Sequence, residues 1–437
     1  MEKQPFLFAV SGVKNSGKTT LITKLIPIFV KYGLKVASVK HDGHDFDADV
    51  PGTDSYRHMK AGAYGTAVFS ASKYMVVKKQ EHTTEEQLVR LFPEADLILL
   101  EGFKKSPYPK IEIVRKGNSE APVCTDESLT AVAADFPFAG AGGVPADNEA
   151  ADNEAADNEA ADNEAADDEA GSREMDGTGK IRVLDLNHVE EIAEHILDVW
   201  FIRTKLAMAV LAGGMSRRMG CDKADLLCGE KTFLQIQIEK GKRLGIEEIL
   251  VSGYRGSKCV VPVIRDRYPD RGPLGGLEAT LREVKKEFCL VMTVDVPMVT
   301  EELLQQLVRV FRHELMNSDE AKTTSGAGLG ADGGTSRIMI VEHGERQEPL
   351  LGIYSTDLAD RMEQELREGK GSMFHFLETQ GYDVYKSREP EEIFENINTP
   401  ESYRRIHNYR TVDMPAETCD NGAAVMSGTV WKRRNTF

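Results

Sequence analysis

Apolar runs that stop at glycine recur along the chain and set its order of elements. Phe6–Val10 reads as a buried strand and runs into a glycine-rich loop. Leu21, Ile22, Leu25 and Ile26 then recur at helical spacing. Lys35–Val39 and Leu97–Leu100 predict two further strands, the latter ending at Glu101-Gly102. The second half begins again near residue 205, with strands predicted at Leu206–Leu211, Val263–Ile264 and Phe288–Val294. Between the halves, Val189, Ile192, Ala193, Ile196, Leu197 and Trp200 form the stripe of a core-packed helix. Asn187 and Glu190 are placed as its N-cap and N3 pair. Near the end, Phe394 to Asn398 reads as a strand end entering a helix, with Thr399 as N-cap and Pro400 at N1. Strands alternating with helical segments predict an α/β chain.

Three stretches break the pattern. The pentamer ADNEA repeats through residues 146–170, and flanking glycines widen this region to about 139–180. A period of five fits neither a strand nor a helix face, and alanine alone gives nothing to bury, so a disordered acidic insertion is expected. Residues 317–336 read as a second flexible insertion, and 411–437 as a loose tail. The expected domains are therefore 1–203, interrupted by the repeat, and 205–410.

Charge changes the picture once it is localised. The 437 residues carry 54 basic and 71 acidic side chains, a formal net charge of -17. Eleven of the acids lie in 146–170, and without them the net charge is -6. This leaves room for local anion sites but no extended basic face for nucleic acid. No run approaches the roughly 20 apolar residues that span a bilayer, so no membrane partner is expected. The apolar start lacks a basic n-region and a cleavage site, so it is not read as a signal peptide. Six cysteines without a CxxC pair point to a reduced, cytoplasmic setting.

Two loops carry the chemistry. Gly12-Val13-Lys14-Asn15-Ser16-Gly17-Lys18-Thr19-Thr20 is GxxxxGK[ST] between a strand and a helix. Its glycines let backbone N–H groups face a phosphate, and the helix start favours anions. Lys18 can reach the β- and γ-phosphates, and Thr19 can ligate Mg²⁺. Gly12, Asn15, Gly17 and Thr20 complete the candidate nucleotide site of a P-loop NTPase-like domain. Glu101, at the carboxyl end of its strand, is placed as a metal or water-orienting acid, whereas Asp96 lies at the other end. His41, Asp42, His44, Asp45 and Asp47 are metal-binding types, but their spacing is not diagnostic.

The second loop follows Leu211: Ala212-Gly213-Gly214-Met215-Ser216-Arg217-Arg218-Met219-Gly220-Cys221-Asp222-Lys223. Small residues allow the backbone to wrap a triphosphate, and Arg217 and Lys223 supply neutralising charge. Asp266 leads into a second glycine-rich turn, Gly272 to Gly276, and Asp295 ends a buried strand. A carboxylate there suits Mg²⁺. Asn396 or Asn398 either faces the ligand or belongs to a structural turn.

The first half resembles the molybdopterin-guanine dinucleotide biosynthesis adapter family, MobB, over most of residues 5–135. It does so through GVKNSGKTT, the segment from VKHDGHDFDADVPGTDSYRHMKAGA, LILLEGFKKSPYPKIEIVR and LTAVAAD, and again at IRVLDLNHVEEIAEHILDVWF. The resemblance implies GTP binding with weak hydrolysis and an accessory role beside a nucleotidyltransferase. Residues 206–408 resemble the molybdenum cofactor guanylyltransferase family, MobA, through LAGGxSxRMGxDK and the acids at 266 and 295. That implies a Rossmann-like domain transferring GMP from GTP to Mo-molybdopterin, with molybdoenzyme apoproteins or their chaperones as downstream partners. It further implies that Leu211, Ala212, Gly213, Gly214, Lys223, Asp266 and Asp295 contact GTP, that Asp295 carries Mg²⁺, and that Arg217 stabilises the leaving pyrophosphate. Ser252 stands where the family usually has asparagine, and Asp225 is an additional acid. The same loop would serve cytidylyl or sugar-phosphate nucleotidyl transfer, and a non-catalytic delivery scaffold is the rival of another class.

Overall fold

The computed structural model describes residues 4–42, 46, 48–124, 127–137, 181–213, 222–256, 259–269, 271–324 and 337–410, with the backbone alone for 318–324 and 406–410. The pentamer segment, Gly214, Arg217 and residues 411–437 lie outside them. The chain divides into two units, Met1–Cys124 and Thr125–Phe437.

The first unit runs β1 (Phe6–Gly12), α1 (Lys18–Lys31), β2 (Val36–Lys40), α2 (Asp54–Lys60), β3 (Gly65–Phe69), β4 (Tyr74–Lys78), α3 (Glu85–Val89), β5 (Leu97–Glu101) and β6 (Lys110–Val114). Parallel pairing joins β2 to β5, β5 to β1, and β1 to β6. The apolar strands β1 and β5 are buried through their centres, and α1 covers them with Leu21, Ile22, Leu25 and Phe29. Register sets Val10 beside Glu101, so the carboxyl ends of β1 and β5 open at one edge. The strands β3 and β4 form a separate antiparallel ribbon.

The second unit begins with β7 (Leu129–Ala134), which pairs in parallel with β8 (Arg182–Asp185), and α4 (Val189–Lys205). It continues through β9 (Leu206–Leu211), β10 (Leu227–Cys228), β11 (Lys231–Thr232), α5 (Phe233–Arg243), β12 (Ile249–Ser252), β13 (Val263–Ile264), α6 (Pro273–Glu283) and β14 (Phe288–Thr293). It ends with α7 (Glu301–Thr324), β15 (Ile338–His343), β16 (Arg346–Ser355), α8 (Ala359–Arg367), α9 (Met373–Gln380), β17 (Asp383–Lys386) and α10 (Pro400–Arg410). Its main sheet has the order β13-β12-β9-β14-β16-β15-β17 and is parallel except at β16. Fully buried β9 sits between β12 and β14. Doubly covered parallel strands read as continuous apolar runs, as β9 and β14 do. The mixed α/β class and parallel sheets are those expected from sequence.

Three local readings change. The N-cap of α4 is His188 rather than Asn187. The Asp185 carboxylate accepts from the Asn187 backbone N–H at 2.8 Å and from its side-chain amide at 3.0 Å. That side chain is therefore committed backwards. The α4 stripe also widens: His195, Asp198, Val199, Phe201 and Ile202 are buried beside the predicted positions. Helix α7 continues to Thr324, into the stretch read as an insertion; residues 325–336 lie outside the description.

The division at 124 precedes the sequence boundary at 203–205 and groups α4 with the second unit, where it packs on α7. Asp198 Oδ2 accepts from Arg309 at 2.9 and 2.7 Å, and its Oδ1 accepts from Arg312 Nε at 3.0 Å. Glu194 binds the same Arg312 guanidinium, which is 0% exposed.

Candidate functional site

The first candidate site is the loop between β1 and α1. Gly12 has φ 143°, and a Cβ there would lie 2.9 Å from the Ile113 carbonyl oxygen and 2.6 Å from Ser16 Oγ. No side chain fits between this loop and β6. Asn15 is left-handed at φ 62°. Gly17, at φ 99°, caps α1 without a side-chain hydrogen bond, so the N–H groups of the first turn, which includes Thr19 and Thr20, point toward the loop. Lys18 Nζ donates to the carbonyls of Gly12 at 3.0 Å and Val13 at 2.8 Å, folding over the loop. Burial lowers its pKa, with Glu101 acting the other way. Thr19 Oγ1 donates to Glu101 Oε1 at 2.6 Å, which brings a hydroxyl and a carboxylate together at the loop edge. Asp96 instead accepts from the Lys35 N–H at 2.8 Å, at the opposite strand end. Of the uncertain metal types, Asp42 lies 3.6 Å from Lys40, and His44, Asp45 and Asp47 are outside the described residues. Among the described residues, no group of three or more His, Cys, Asp or Glu is placed to hold a metal.

The second site is a cavity of about 1170 Å³ at the carboxyl ends of β9, β12 and β14. Leu211, Ala212, Gly213, Lys223, Asp266 and Asp295 all line it. Gly214 and Arg217 fall outside the described residues. Lys223 Nζ donates to Asp295 Oδ2 at 2.9 Å and also to Asn398 Oδ1. The short 3-10 turn bearing Lys223 is capped by Asp222, which accepts from the Ala224 N–H at 3.0 Å. Ser252 Oγ donates to Asp266 Oδ1 at 3.2 Å. Helix α6 starts at Pro273 with Gly272 as its N-cap, both at the cavity wall. A second cavity of about 200 Å³ shares Thr293, Asp295 and Leu350 with the first, and adds Glu348, Phe394 and Asn396. Asp295 thus lines both chambers, together with Thr293 and Leu350.

Small-residue backbone, one lysine and a carboxylate that lines both cavities form an arrangement able to accept an anionic ligand. Comparisons with known proteins place each half in a family. Residues 7–135 match the family described as molybdopterin guanine dinucleotide synthesis protein B, and residues 208–383 match the MobA-like NTP transferase domain. The molybdopterin-guanine dinucleotide biosynthesis adapter protein of Escherichia coli (strain K12) is 39% identical over 141 residues, covering 30% of this chain and 79% of that protein. A probable molybdenum cofactor guanylyltransferase of Opitutus terrae is 32% identical over 178 residues, covering 39% of this chain and 77% of that protein. The chain belongs to both families. A crystal structure of molybdopterin-guanine dinucleotide biosynthesis protein A from Archaeoglobus fulgidus is 24% identical, with a TM-score of 0.35, covering 46% of this chain and 97% of that one.

The guanylyltransferase-family half contains one glycine that sequence reasoning missed and two residues whose contacts it left open. Gly253 has φ 75°, and a Cβ there would sit 2.6 Å from Gly213 Cα. The loops after β9 and β12 touch backbone to backbone. A glycine directly after the run Ile249–Ser252 is the signal that could have found it. Asp225 accepts from the Tyr254 hydroxyl at 2.7 Å, tying the Lys223 turn to the β12 loop. Burial first, and then this bond, push the Tyr254 phenol up to about 12. Asn398, left open from sequence, reaches Lys223.

Proposed function

We propose that the C-terminal half transfers GMP from GTP to Mo-molybdopterin, and that the N-terminal half, 1–203, binds GTP through its P-loop as an adapter in cis. A terminal phosphate oxygen of the pterin cofactor attacks the α-phosphorus of GTP. The bond from that phosphorus to the bridging oxygen of the β-phosphate breaks, and pyrophosphate leaves. The nucleophile is already anionic, so the site needs positioning and charge neutralisation more than a base.

The observation that carries this reading is Asp295, paired to Lys223 at 2.9 Å and lining both chambers. In this assignment the larger chamber takes GTP. Leu211 to Gly214 wrap the phosphates, Lys223 neutralises them, and Asp266 faces the nucleoside. Arg217 steadies the departing pyrophosphate. The smaller chamber takes the phosphate end of the pterin substrate. A single carboxylate fits Mg²⁺, which uses one or two protein oxygens and fills its remaining positions with substrate phosphate and water. Asp295 would hold the ion here, and Thr19 with Glu101 would hold it at the P-loop. When bound, Mg²⁺ supplies charge neutralisation on the phosphates. Transfer of the product to molybdoenzyme apoproteins or their chaperones is the corresponding role of the adapter half.

The test is pyrophosphate release by the full chain with Mo-molybdopterin, Mg²⁺ and each nucleoside triphosphate in turn. Release with GTP above the others is expected. Preference for CTP would overturn the guanylyl assignment, and silence with every nucleotide would favour a delivery scaffold.

A further inference from the structure

Asp295 stands on a turn whose carbonyl groups are gripped by one helix. Gln237 and Lys240 lie three residues apart on α5 and are 0% and 5% exposed. Gln237 Nε2 donates to the carbonyls of Thr293 and Val296, each at 3.0 Å. Lys240 Nζ donates to the carbonyl of Pro297 at 2.8 Å and to Gln237 Oε1 at 2.9 Å. The carbonyl of Asp295 itself accepts from the Ile397 N–H at 2.9 Å. Each of these four carbonyls in the 293–297 turn therefore has a donor, three of them through this side-chain pair.

Apolar packing alone does not call for an amide and an amine at these positions; what they supply is donors for the carbonyls of the turn. Leucine or methionine would bury more apolar surface without the cost of desolvating a cation. Lys240 is not there for an ion pair: its hydrogen-bond partners are a carbonyl and an amide oxygen. The carboxylate facing it, Glu301, is engaged by Arg243 at 2.6 Å. The same helix also secures the other half of the reaction centre. The Phe233 N–H, at the start of α5, donates to the carbonyl of Leu226 at 2.9 Å, just beyond the turn that carries Lys223.

We propose that Gln237 and Lys240 are positioning residues for nucleotidyl transfer, clamping the 293–297 turn so that the Asp295 carboxylate stays registered against Lys223. Neither touches substrate. Both act through the backbone that bears Asp295. This inference rests on the assignment of Asp295 to the nucleotide-bound metal.

The experiment measures pyrophosphate release by the full chain against GTP and Mg²⁺ concentration. It compares wild type, Gln237→Leu, Lys240→Met and the double variant. The control is Ile238→Ala, which removes apolar contact from the same helix where the side chain is 3% exposed. A displacement near 1 Å at a reacting group costs roughly a hundredfold, so kcat should fall about ten- to a hundredfold in the clamp variants. The KM for GTP should stay within about threefold, and the half-saturating Mg²⁺ concentration should rise at least about threefold. The double variant should lose little more than the worse single, because both donors serve one turn. Ile238→Ala should lower Tm but leave kcat and the Mg²⁺ response unchanged at a permissive temperature. If Lys240→Met does not fold, Gln237→Leu decides alone. Clamp variants that behave like Ile238→Ala would overturn the inference and leave the proposed function standing. A wild-type chain that releases no pyrophosphate would overturn both.

Discussion

Lys223 and Asp295 are 72 positions apart in sequence, and their side chains meet at 2.9 Å in the wall of the larger cavity, with Asp295 also lining the smaller one. One arrives on a short turn after the glycine loop, the other at the end of a buried strand. If this pair organises the transferred phosphate, Asp295→Ala should lower the rate of pyrophosphate release by at least about 10²–10³-fold, the usual cost of removing one preorganised electrostatic group. Steady-state assay at saturating Mg²⁺ measures it. A rate within threefold of wild type would remove Asp295 from the site.

The P-loop makes a separate claim. Lys18 folds onto the carbonyls of Gly12 and Val13, where a phosphate would draw it outward. Equilibrium dialysis of the full chain should find about two GTP bound, and Lys18→Ala should reduce that to about one, since the lysine supplies the point charge for the β- and γ-phosphates. Unchanged stoichiometry would show that the loop is not a nucleotide site.

Gly253→Ala tests the contact between the two loops. Alanine is strained at φ 75°, and its Cβ would fall 2.6 Å from Gly213 Cα. Strain of this kind costs about 1–3 kcal/mol. It should show in urea denaturation as lost stability, and in kinetics as a raised KM for GTP. A variant with wild-type KM and stability would mean that the loops can separate freely.

His195 gives the chain a defined acid weakness. Its ring is buried, with Nε2 2.8 Å from Thr130 Oγ1, and burial, then Arg182 and Arg309, pull its pKa from 6.5 down to about 3. The folded value lies below the unfolded one. Between those values the unfolded chain therefore binds a proton that the folded chain does not, and stability falls as pH drops from 6.5 toward 3. Thermal melts across that window should show a shallower decline for His195→Asn than for wild type. Parallel declines would place the acid sensitivity elsewhere.

Asp198→Ala should cost about 3 kcal/mol or more, because it strips a carboxylate from the buried Arg312 guanidinium and leaves a charge partly uncompensated. Adding Arg312→Met should recover part of the loss. Chemical denaturation of both variants gives the comparison, and an additive double would contradict the pairing.

Both candidate phosphate loops are legible in sequence because their constraint is local: glycine, lysine and hydroxyl residues in fixed order after an apolar strand. Lys18, Thr19 and Lys223 need no tertiary information to be picked out. Gly253, Asn398, Gln237 and Lys240 do. Gln237 looks like any polar helix position until β14 and its turn are laid against α5. Asn398 lies 175 residues from the lysine that it binds. The N-cap of α4 moves by one residue because Asp185 competes for Asn187. The breadth of the buried face of α4 is likewise invisible in its own periodicity, since it depends on Arg309 and Arg312 of α7.

The α4–α7 contact bears on how this gene product can be dissected in the laboratory. An expression boundary drawn at residue 205, where the second family's resemblance begins, discards Glu194 and Asp198. It would leave Arg312, 0% exposed in the intact chain, without either carboxylate. A truncated transferase made that way carries an orphaned guanidinium and a bare apolar strip, and its poor solubility would say nothing about whether the domain is autonomous. Fragments that begin upstream of α4, or that replace Arg312 and Phe311, whose ring packs on Phe201 of α4, with uncharged polar residues, are the ones whose behaviour answers that question.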